Sequence, residues 1–227
     1  MPVRWRGVSL SEISSCSRIC AGAVILAGGD SKRLGRPKAL LDFDGTTLIE
    51  LILRILDPLF TEITVITDRP ELYRNLPVRL GGDLFTGSRK SPLRGIHAGL
   101  LSSKLPYQFI AACDMPFLNR GLIRHMAEFT SGYDAVVPRI ETYFQPLHSF
   151  YSRSCAGVIE KQIKTGRCKV TDFYTDLNIK FIGREEIERF DPGQESFINI
   201  NTPADYQKAL SVYRRKQEER KIISGGE

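Results

Sequence analysis

A glycine-rich and basic segment near residue 30 has the residue types that bind a polyphosphate. Gly28 and Gly29 directly follow an apolar run, and Arg33 and Lys38 come a few residues later. Glycines let backbone N–H groups approach a ligand closely, and the two cations add charge and hydrogen-bond donors. The adjacent glycines fit neither G-x-G-x-x-G nor G-x-x-x-x-G-K-[ST], which excludes two well-known phosphate loops. A tight strand-to-helix turn with solvated cations explains the same residues, so both interpretations stay open at this point.

Three aspartates lie shortly after apolar runs that have the pattern of buried strands. Asp68, Asp83 and Asp114 each come within three residues of such a run. Ligands of parallel α/β sheets bind beyond the carboxyl ends of the strands. We therefore expect these three carboxylates to lie in the same cleft as the glycine pair.

Asp114 is the best candidate for a metal ligand. Mg²⁺ binds one or two protein carboxylates together with water and substrate phosphates. Asn199 and Asn201 lie at a later predicted strand, where an amide oxygen can complete a metal or product site. The competing interpretation is structural: Asp114 caps the turn that follows it, and at least one asparagine forms a turn or an N-cap for the next helix.

Alternating strands and helices must position these residues. A capping box, T-L-I-E at residues 47–50, marks the start of the first predicted helix. We predict strands over residues 23–26, 63–67, 77–80, 108–112, 135–138, 147–151, 179–182 and 197–200. We predict helices over residues 48–56, 92–101, 122–129, 154–164 and 171–177, and a last helix from residue 203. This alternation predicts a three-layer α/β/α sandwich around a mostly parallel, Rossmann-like sheet.

Length and charge bound the class of protein. The 227 residues, 42% of them apolar, predict one folded domain over residues 21–210, with an N-terminal extension (1–20) and a basic helical tail (211–227). Of the formal charge of +6, residues 1–20 carry +2 and residues 207–227 carry +3, which leaves about +1 for the body. Because many phosphate contacts need a basic body surface, we do not expect nucleic acid as a partner.

Cellular location follows from two further features of the sequence. No run approaches 18 apolar residues, and no pattern of a secretory signal is present, so we expect a cytoplasmic protein that does not bind a membrane. The five cysteines show no zinc-ligand spacing and agree with free thiols in a reducing compartment.

Four short segments resemble those of one enzyme family. Residues 26–38 read L-A-G-G-D-S-K-R-L-G-R-P-K, which is similar to the signature loop of nucleotidyltransferases with a GT-A-like fold. The segments S-P-L-R-G-I (91–96), A-C-D-M-P-F-L (112–118) and F-I-N-I-N-T-P-A-D (197–205) resemble those of the MobA-like branch, the molybdenum cofactor guanylyltransferases. The resemblance covers residues 21–210, which we therefore expect to form a nucleotidyltransferase domain.

This resemblance implies an activity and a set of residue roles. It implies transfer of GMP from GTP to molybdopterin, which gives the guanine dinucleotide cofactor and pyrophosphate, with Mg²⁺ as the cofactor. Arg33, Lys38 and Asp114 are the implied catalytic residues, and Asp114 and Asn201 are the implied metal ligands. The implied nucleotide-binding residues are Leu26, Ala27, Gly28, Gly29, Lys38, Asp68, Asp83 and Asp114.

The sequence leaves the nucleotide, the acceptor and the partners open. Asp68 stands where the family usually has asparagine, so CTP is an alternative to GTP on the same pterin. A sugar- or polyol-phosphate acceptor and a non-catalytic nucleotide-binding subunit stay open as well. Arg139 and Arg167 are candidate contacts to the pterin phosphate, although a role as ordinary surface arginines is favoured. We expect a monomer or weak oligomer, with proteins that deliver molybdopterin or act as molybdoenzyme chaperones as candidate partners.

Overall fold

An eight-stranded sheet organises the chain. The computed structural model describes residues 18–28, 34–85, 91–167 and 169–224. The strands of the main sheet are β1 (Gly22–Leu26), β4 (Ile63–Ile66), β5 (Arg79–Gly81), β6 (Tyr107–Ala112), β7 (Ala135–Ile140), β8 (Tyr143–Phe144), β9 (His148–Ser152) and β10 (Ile179–Ile182). β2 (Asp42–Phe43) and β3 (Thr46–Thr47) form a separate antiparallel pair.

The strand order places three carboxyl ends side by side. Across the sheet the order is β5–β4–β1–β6–β9–β7–β10, with β8 paired to β7. β1 is parallel to both β4 and β6, β4 is parallel to β5, and β7 is parallel to β10. β9 runs antiparallel to β6 and β7, and β8 runs antiparallel to β7. The prediction of a mostly parallel sheet is confirmed, and the ends of β4, β1 and β6 share one edge.

Helices cover both faces of this sheet. The described helices are α1 (Leu48–Leu56), α2 (Pro92–Leu101), α3 (Arg120–Ala127), α4 (Cys155–Lys164), α5 (Arg184–Glu188) and α6 (Pro203–Ser224). α1, α3, α5 and α6 bury side chains in one apolar core, and α2 and α4 in another. Successive residues of β1 alternate between them, since Ala23 and Ile25 face the first core and Val24 the second. The predicted α/β/α sandwich is therefore confirmed.

α1 begins at the residue that the capping box predicted. The Glu50 carboxylate accepts hydrogen bonds from the Thr47 backbone N–H (2.7 Å) and from the Thr47 hydroxyl (2.6 Å). These bonds satisfy a backbone donor at the helix start, where the helix itself provides no partner. The buried side of α1 then packs in the first core.

Two predicted elements differ from the structure. The strand predicted over residues 197–200 is wrong: Glu195–Phe197 forms a 3₁₀ turn, and the residues after it lie outside the described sheet. The Asp191 carboxylate accepts from the backbone N–H groups of Glu195 (3.0 Å) and Ser196 (2.8 Å), and these local bonds favour a turn over an extended strand. The helix predicted over 171–177 forms as a 3₁₀ helix, Val170–Asp176.

α6 continues across residue 210 and is tied to the body by its basic residues. Tyr213 packs edge-on against Phe43, with 5.5 Å between ring centroids. Arg214 forms an ion pair with Asp44 (2.7 Å), and Arg215 and Lys216 both pair with Glu195. No helix within the described ranges is both long and apolar enough to span a membrane.

His148 is a buried histidine at the start of β9. Its side chain has no solvent exposure, and its ring contacts the rings of Phe109 and Phe197 at centroid distances of 5.2 and 5.1 Å. Among the described residues, neither ring nitrogen has a hydrogen-bond partner. Burial lowers the pKa of His148 to about 3, so the folded protein holds a neutral imidazole here.

Mild acid should destabilise the fold through His148. An unfolded histidine has a pKa of about 6.5 and is protonated in mild acid, whereas folded His148 stays neutral down to about pH 3. Protonation therefore favours the unfolded state, and stability is lost as pH falls from about 6.5 towards 3. Between about pH 7.5 and about pH 5.5 the expected loss in the free energy of unfolding is about 1.4 kcal/mol. Urea unfolding of the wild type and His148→Phe at both pH values measures the difference.

The His148→Phe variant should show a shallower pH dependence than the wild type. Burial also lowers the pKa of His97, which adds a loss in the same direction to both proteins. The difference between their slopes therefore isolates His148. Equal slopes in the two proteins would contradict the prediction.

Candidate active site

A cleft of about 560 Å³ opens at the carboxyl ends of β1, β4 and β6. It brings together the described residues that the sequence nominated for nucleotide and metal: Leu26, Ala27, Gly28, Lys38, Asp68, Asp83, Asp114 and Asn201. Gly29 and Arg33, which were nominated with them, lie outside the described residues. Within the described ranges, neither Arg139 nor Arg167 is part of the lining, and Arg139 instead lies over the Phe181 ring at 5.4 Å.

The start of α2 forms one wall of the cleft. Gly95 on this helix lies against Leu26 at the end of β1, where an added Cβ would come within 3.2 Å of the leucine side chain. This close approach brings Pro92, at the N-terminus of α2, to the cleft. The partial positive charge of a helix N-terminus favours an anion at this wall.

Thr67 joins the ends of β1 and β4 at the cleft. Its hydroxyl donates to the Ala27 carbonyl (3.3 Å) and accepts from the Arg69 backbone N–H (3.0 Å). Sequence reasoning did not single out Thr67, because a threonine at a strand end has no distinctive pattern. In the structure, Thr67 lines the cleft together with Gly28 and Asp68, at the edge where β1 and β4 end.

Two side-chain oxygens from residues distant in sequence form a cation site at the cleft, and the Lys38 ammonium occupies it. The Lys38 ammonium lies 2.8 Å from Asp114 Oδ2 and 2.7 Å from Asn201 Oδ1. Lys38 begins a 3₁₀ turn, and Asp114 follows β6. The Ile200 backbone N–H donates to the Asp114 carbonyl (3.0 Å), which places Asn201 beside it.

The two asparagines differ in what their side chains do. Asn199 donates to the Phe197 carbonyl (3.0 Å), a bond local to its own turn. Asn201 instead accepts from Lys38, and the start of α6 is capped by other groups. Thr202 Oγ1 accepts from the Asp205 backbone N–H (3.2 Å), and the Asp205 carboxylate accepts from the Thr202 backbone N–H (2.8 Å). The Asn201 amide oxygen is thus directed to the cation.

The donor set of this site fits a hard divalent cation. A carboxylate oxygen and an amide oxygen already converge on one positive charge, and Mg²⁺ favours oxygen ligands of this kind. The described residues contain no cluster of three or more His, Cys, Asp or Glu side chains that could hold a metal ion. Mg²⁺ bound with a nucleotide usually takes most of its coordination from water and phosphate oxygens, so two protein oxygens are a suitable protein contribution.

Two other polar groups at the cleft are held in their protonated forms. Burial raises the pKa of the Cys113 thiol and of the Tyr73 hydroxyl to about 12. Both groups line the cleft and are at most 9% exposed. Neither supplies an anionic nucleophile near neutral pH, because the thiolate is the reactive form of cysteine.

Arg94 is a second residue that the sequence analysis did not single out. It lies within the buried face of α2, and its Nε is 2.7 Å from Asp83 Oδ2. Its side chain is 8% exposed, against 35% for Asp83. An arginine in an otherwise apolar helical segment, S-P-L-R-G-I, was the available signal, since a buried guanidinium requires an acidic partner.

A mostly parallel sheet with a cleft at the carboxyl ends of its strands is the arrangement typical of α/β enzymes that bind nucleotides. Sequence comparison then gives the family. Residues 23–177 match the model of the MobA-like NTP transferase domain. The chain belongs to this family of nucleotidyltransferases.

Individual relatives agree with the family assignment. The chain is 37% identical over 189 residues to a protein of Pelotomaculum thermopropionicum named as a probable molybdenum cofactor guanylyltransferase, covering 83% of this chain and 91% of that protein. It also resembles the crystal structure of molybdopterin-guanine dinucleotide biosynthesis protein A from Archaeoglobus fulgidus, with a TM-score of 0.75 and 28% identity over 86% of this chain and 99% of that one. A Mycobacterium tuberculosis protein solved with manganese shares the fold alone, with a TM-score of 0.57 and 14% identity over 84% of this chain and 98% of that one.

Proposed function

We propose that the protein transfers GMP from GTP to molybdopterin, producing the guanine dinucleotide form of the cofactor and pyrophosphate. The observation that carries this proposal is the convergence of Lys38, Asp114 and Asn201 in the cleft of a MobA-like NTP transferase. The similarity to named guanylyltransferases over more than four fifths of the chain supports the choice of nucleotide and acceptor.

The chemistry is an in-line substitution at phosphorus. An oxygen of the terminal phosphate of molybdopterin forms a bond to the α-phosphorus of GTP. The bond between this phosphorus and the oxygen that bridges to the β-phosphate breaks, and pyrophosphate leaves with that electron pair. A phosphate monoester is already ionised near neutral pH, so no general base is required. The enzyme then has to align the two phosphates and offset their negative charge.

The residues of the cleft divide these tasks. The backbone at Gly28 and the start of α2 would receive the phosphates, and Lys38 would offset part of their charge. Arg33 is proposed as a second cation on the triphosphate because of its position in the signature loop. Asp114 and Asn201 would hold Mg²⁺, which supplies charge neutralisation of the phosphate oxygens when bound.

Base selection is assigned to the acidic side chains of the cleft. Asp68 and Asp83 both line it, and a carboxylate accepts hydrogen bonds but cannot donate them. Guanine offers the N1–H and N2–H groups as neighbouring donors, so an aspartate is a suitable partner. Cytosine offers its amino group alone on that edge, which makes CTP the weaker candidate.

Nucleotide binding and product analysis test the proposal directly. Calorimetry with GTP, CTP, ATP and UTP, each with and without Mg²⁺, should show the tightest binding for GTP with Mg²⁺. Incubation with GTP and molybdopterin should then give the guanine dinucleotide, detected by mass spectrometry. Preference for CTP, with a cytosine product, would overturn the guanylyl assignment. Binding of GTP without any product would favour the non-catalytic subunit instead.

A further inference from the structure

Asp83 is held by two contacts on the α2 side of the cleft. Its Oδ2 lies 2.7 Å from Arg94 Nε, and its Oδ1 accepts a hydrogen bond from the Phe85 backbone N–H (2.9 Å). A carboxylate has about four acceptor positions, and these contacts with described residues use one position on each oxygen, which leaves a second one on each for a ligand. Since Asp83 is 35% exposed and lines the cleft, these positions are available to a nucleotide.

Arg94 is itself fixed by packing. Its guanidinium carbon lies 5.9 Å from the centre of the Phe85 ring, and that ring is 5.0 Å from the His97 imidazole. Arg94 and His97 lie on the same helix, α2, and both are buried. Burial lowers the pKa of His97, which disfavours a second positive charge beside Phe85. The guanidinium is therefore held in place beside the carboxylate.

We infer that Arg94 is a positioning residue that fixes the Asp83 carboxylate to accept hydrogen bonds from the nucleoside part of the bound nucleotide. The inference rests on the proposed function, in which Asp83 contacts that nucleotide. It goes further in naming the residue through which α2 sets the direction of Asp83. It also explains how a carboxylate is tolerated in a cleft for a triphosphate, because the adjacent guanidinium offsets its charge.

A thermodynamic cycle of two substitutions tests whether Arg94 acts through Asp83. The variants are Arg94→Met, Asp83→Asn and the double variant, with Arg184→Met as a control for loss of an exposed, ion-paired arginine. GTP affinity is measured by calorimetry, and KM and kcat by product formation. Arg94→Met should weaken GTP binding by about tenfold and raise KM with little change in kcat, since a positioned binding contact is lost.

The double variant distinguishes positioning from a general structural role. If Arg94 acts through Asp83, Arg94→Met causes no further loss of affinity once Asp83→Asn is present. An equal loss in both backgrounds would mean that Arg94 supports the cleft as a whole, and this result would overturn the inference. Wild-type affinity in either single variant would overturn it as well.

Two further measurements keep the result interpretable. If Arg94→Met does not fold, Arg94→Lys is compared in the same two backgrounds, because lysine keeps the charge but not the planar guanidinium geometry. A full loss in Arg94→Lys that vanishes with Asp83→Asn supports the inference, and no loss overturns it. The proposed function is tested separately, by whether the wild-type protein converts GTP and molybdopterin to the guanine dinucleotide.

Discussion

Replacing Asp114 by asparagine should lower the rate of nucleotidyl transfer by at least about a hundredfold, the size of effect that loss of one charge-stabilising group has in other active sites. Asp114 supplies the carboxylate oxygen of the cation site, and Asn201 supplies its amide oxygen. Asparagine keeps the shape of the side chain and removes its negative charge, so the variant tests charge and not packing. Steady-state rates of dinucleotide formation at saturating GTP measure the effect.

Asp57→Asn is the matched control for this substitution. Asp57 follows α1 and is exposed, so loss of its charge should leave both rate and stability close to those of the wild type. Asp114→Asn should still unfold cooperatively, because asparagine keeps the shape of the side chain and its amide oxygen can still accept a hydrogen bond from Lys38. A wild-type rate in Asp114→Asn would contradict the assignment of this carboxylate to the reaction.

Most of the fold followed from local patterns in the sequence. The apolar run that forms β1 and the capping box that starts α1 each determine their element through nearby residues, and both were predicted. The strand predicted at residues 197–200 was wrong because the structure of this segment depends on hydrogen bonds to a residue outside the predicted strand. Its apolar pattern favours a strand, but the carboxylate of Asp191 forms backbone bonds that the pattern does not reveal.

The sequence predicted those residues of the candidate site that closely follow strands. A parallel sheet gathers the residues that follow its strands, which is why Gly28, Asp68 and Asp114 could be expected in one cleft. The partnership of Lys38 with Asn201 was beyond sequence reasoning. It joins residues 163 positions apart and depends on how the segment before α6 packs beside Asp114. Arg94 was missed because a helical pattern shows which face is buried and not which charges meet there.

Lys38 holds the position that a metal bound by Asp114 and Asn201 would need. Its ammonium nitrogen is within 2.8 Å of both oxygens, and two positive charges so close together repel each other strongly. We therefore expect Lys38 to compete with a divalent cation in the protein without nucleotide. Phosphates offer the lysine an alternative anionic partner, so nucleotide binding should release the two oxygens.

Lys38→Met should consequently have two opposite effects. Metal binding to the nucleotide-free protein should tighten by about tenfold, because the competing charge is gone. Turnover should fall by at least about a hundredfold, because the triphosphate loses a cation that offsets its charge in the transition state. Titration with Mn²⁺, followed by electron paramagnetic resonance, measures the first effect, and dinucleotide formation measures the second.

The control for Lys38→Met is Lys164→Met, which removes an exposed lysine that pairs with Glu160 on α4. This variant should bind Mn²⁺ and turn over GTP as the wild type does. Weaker or unchanged Mn²⁺ binding in Lys38→Met would show that the lysine does not compete with the metal. Tighter binding together with slower turnover has no simple explanation in a damaged fold, since a distorted site would lose both properties. The opposite signs of the two effects would therefore identify Lys38 as the residue that occupies the cation site until the nucleotide arrives.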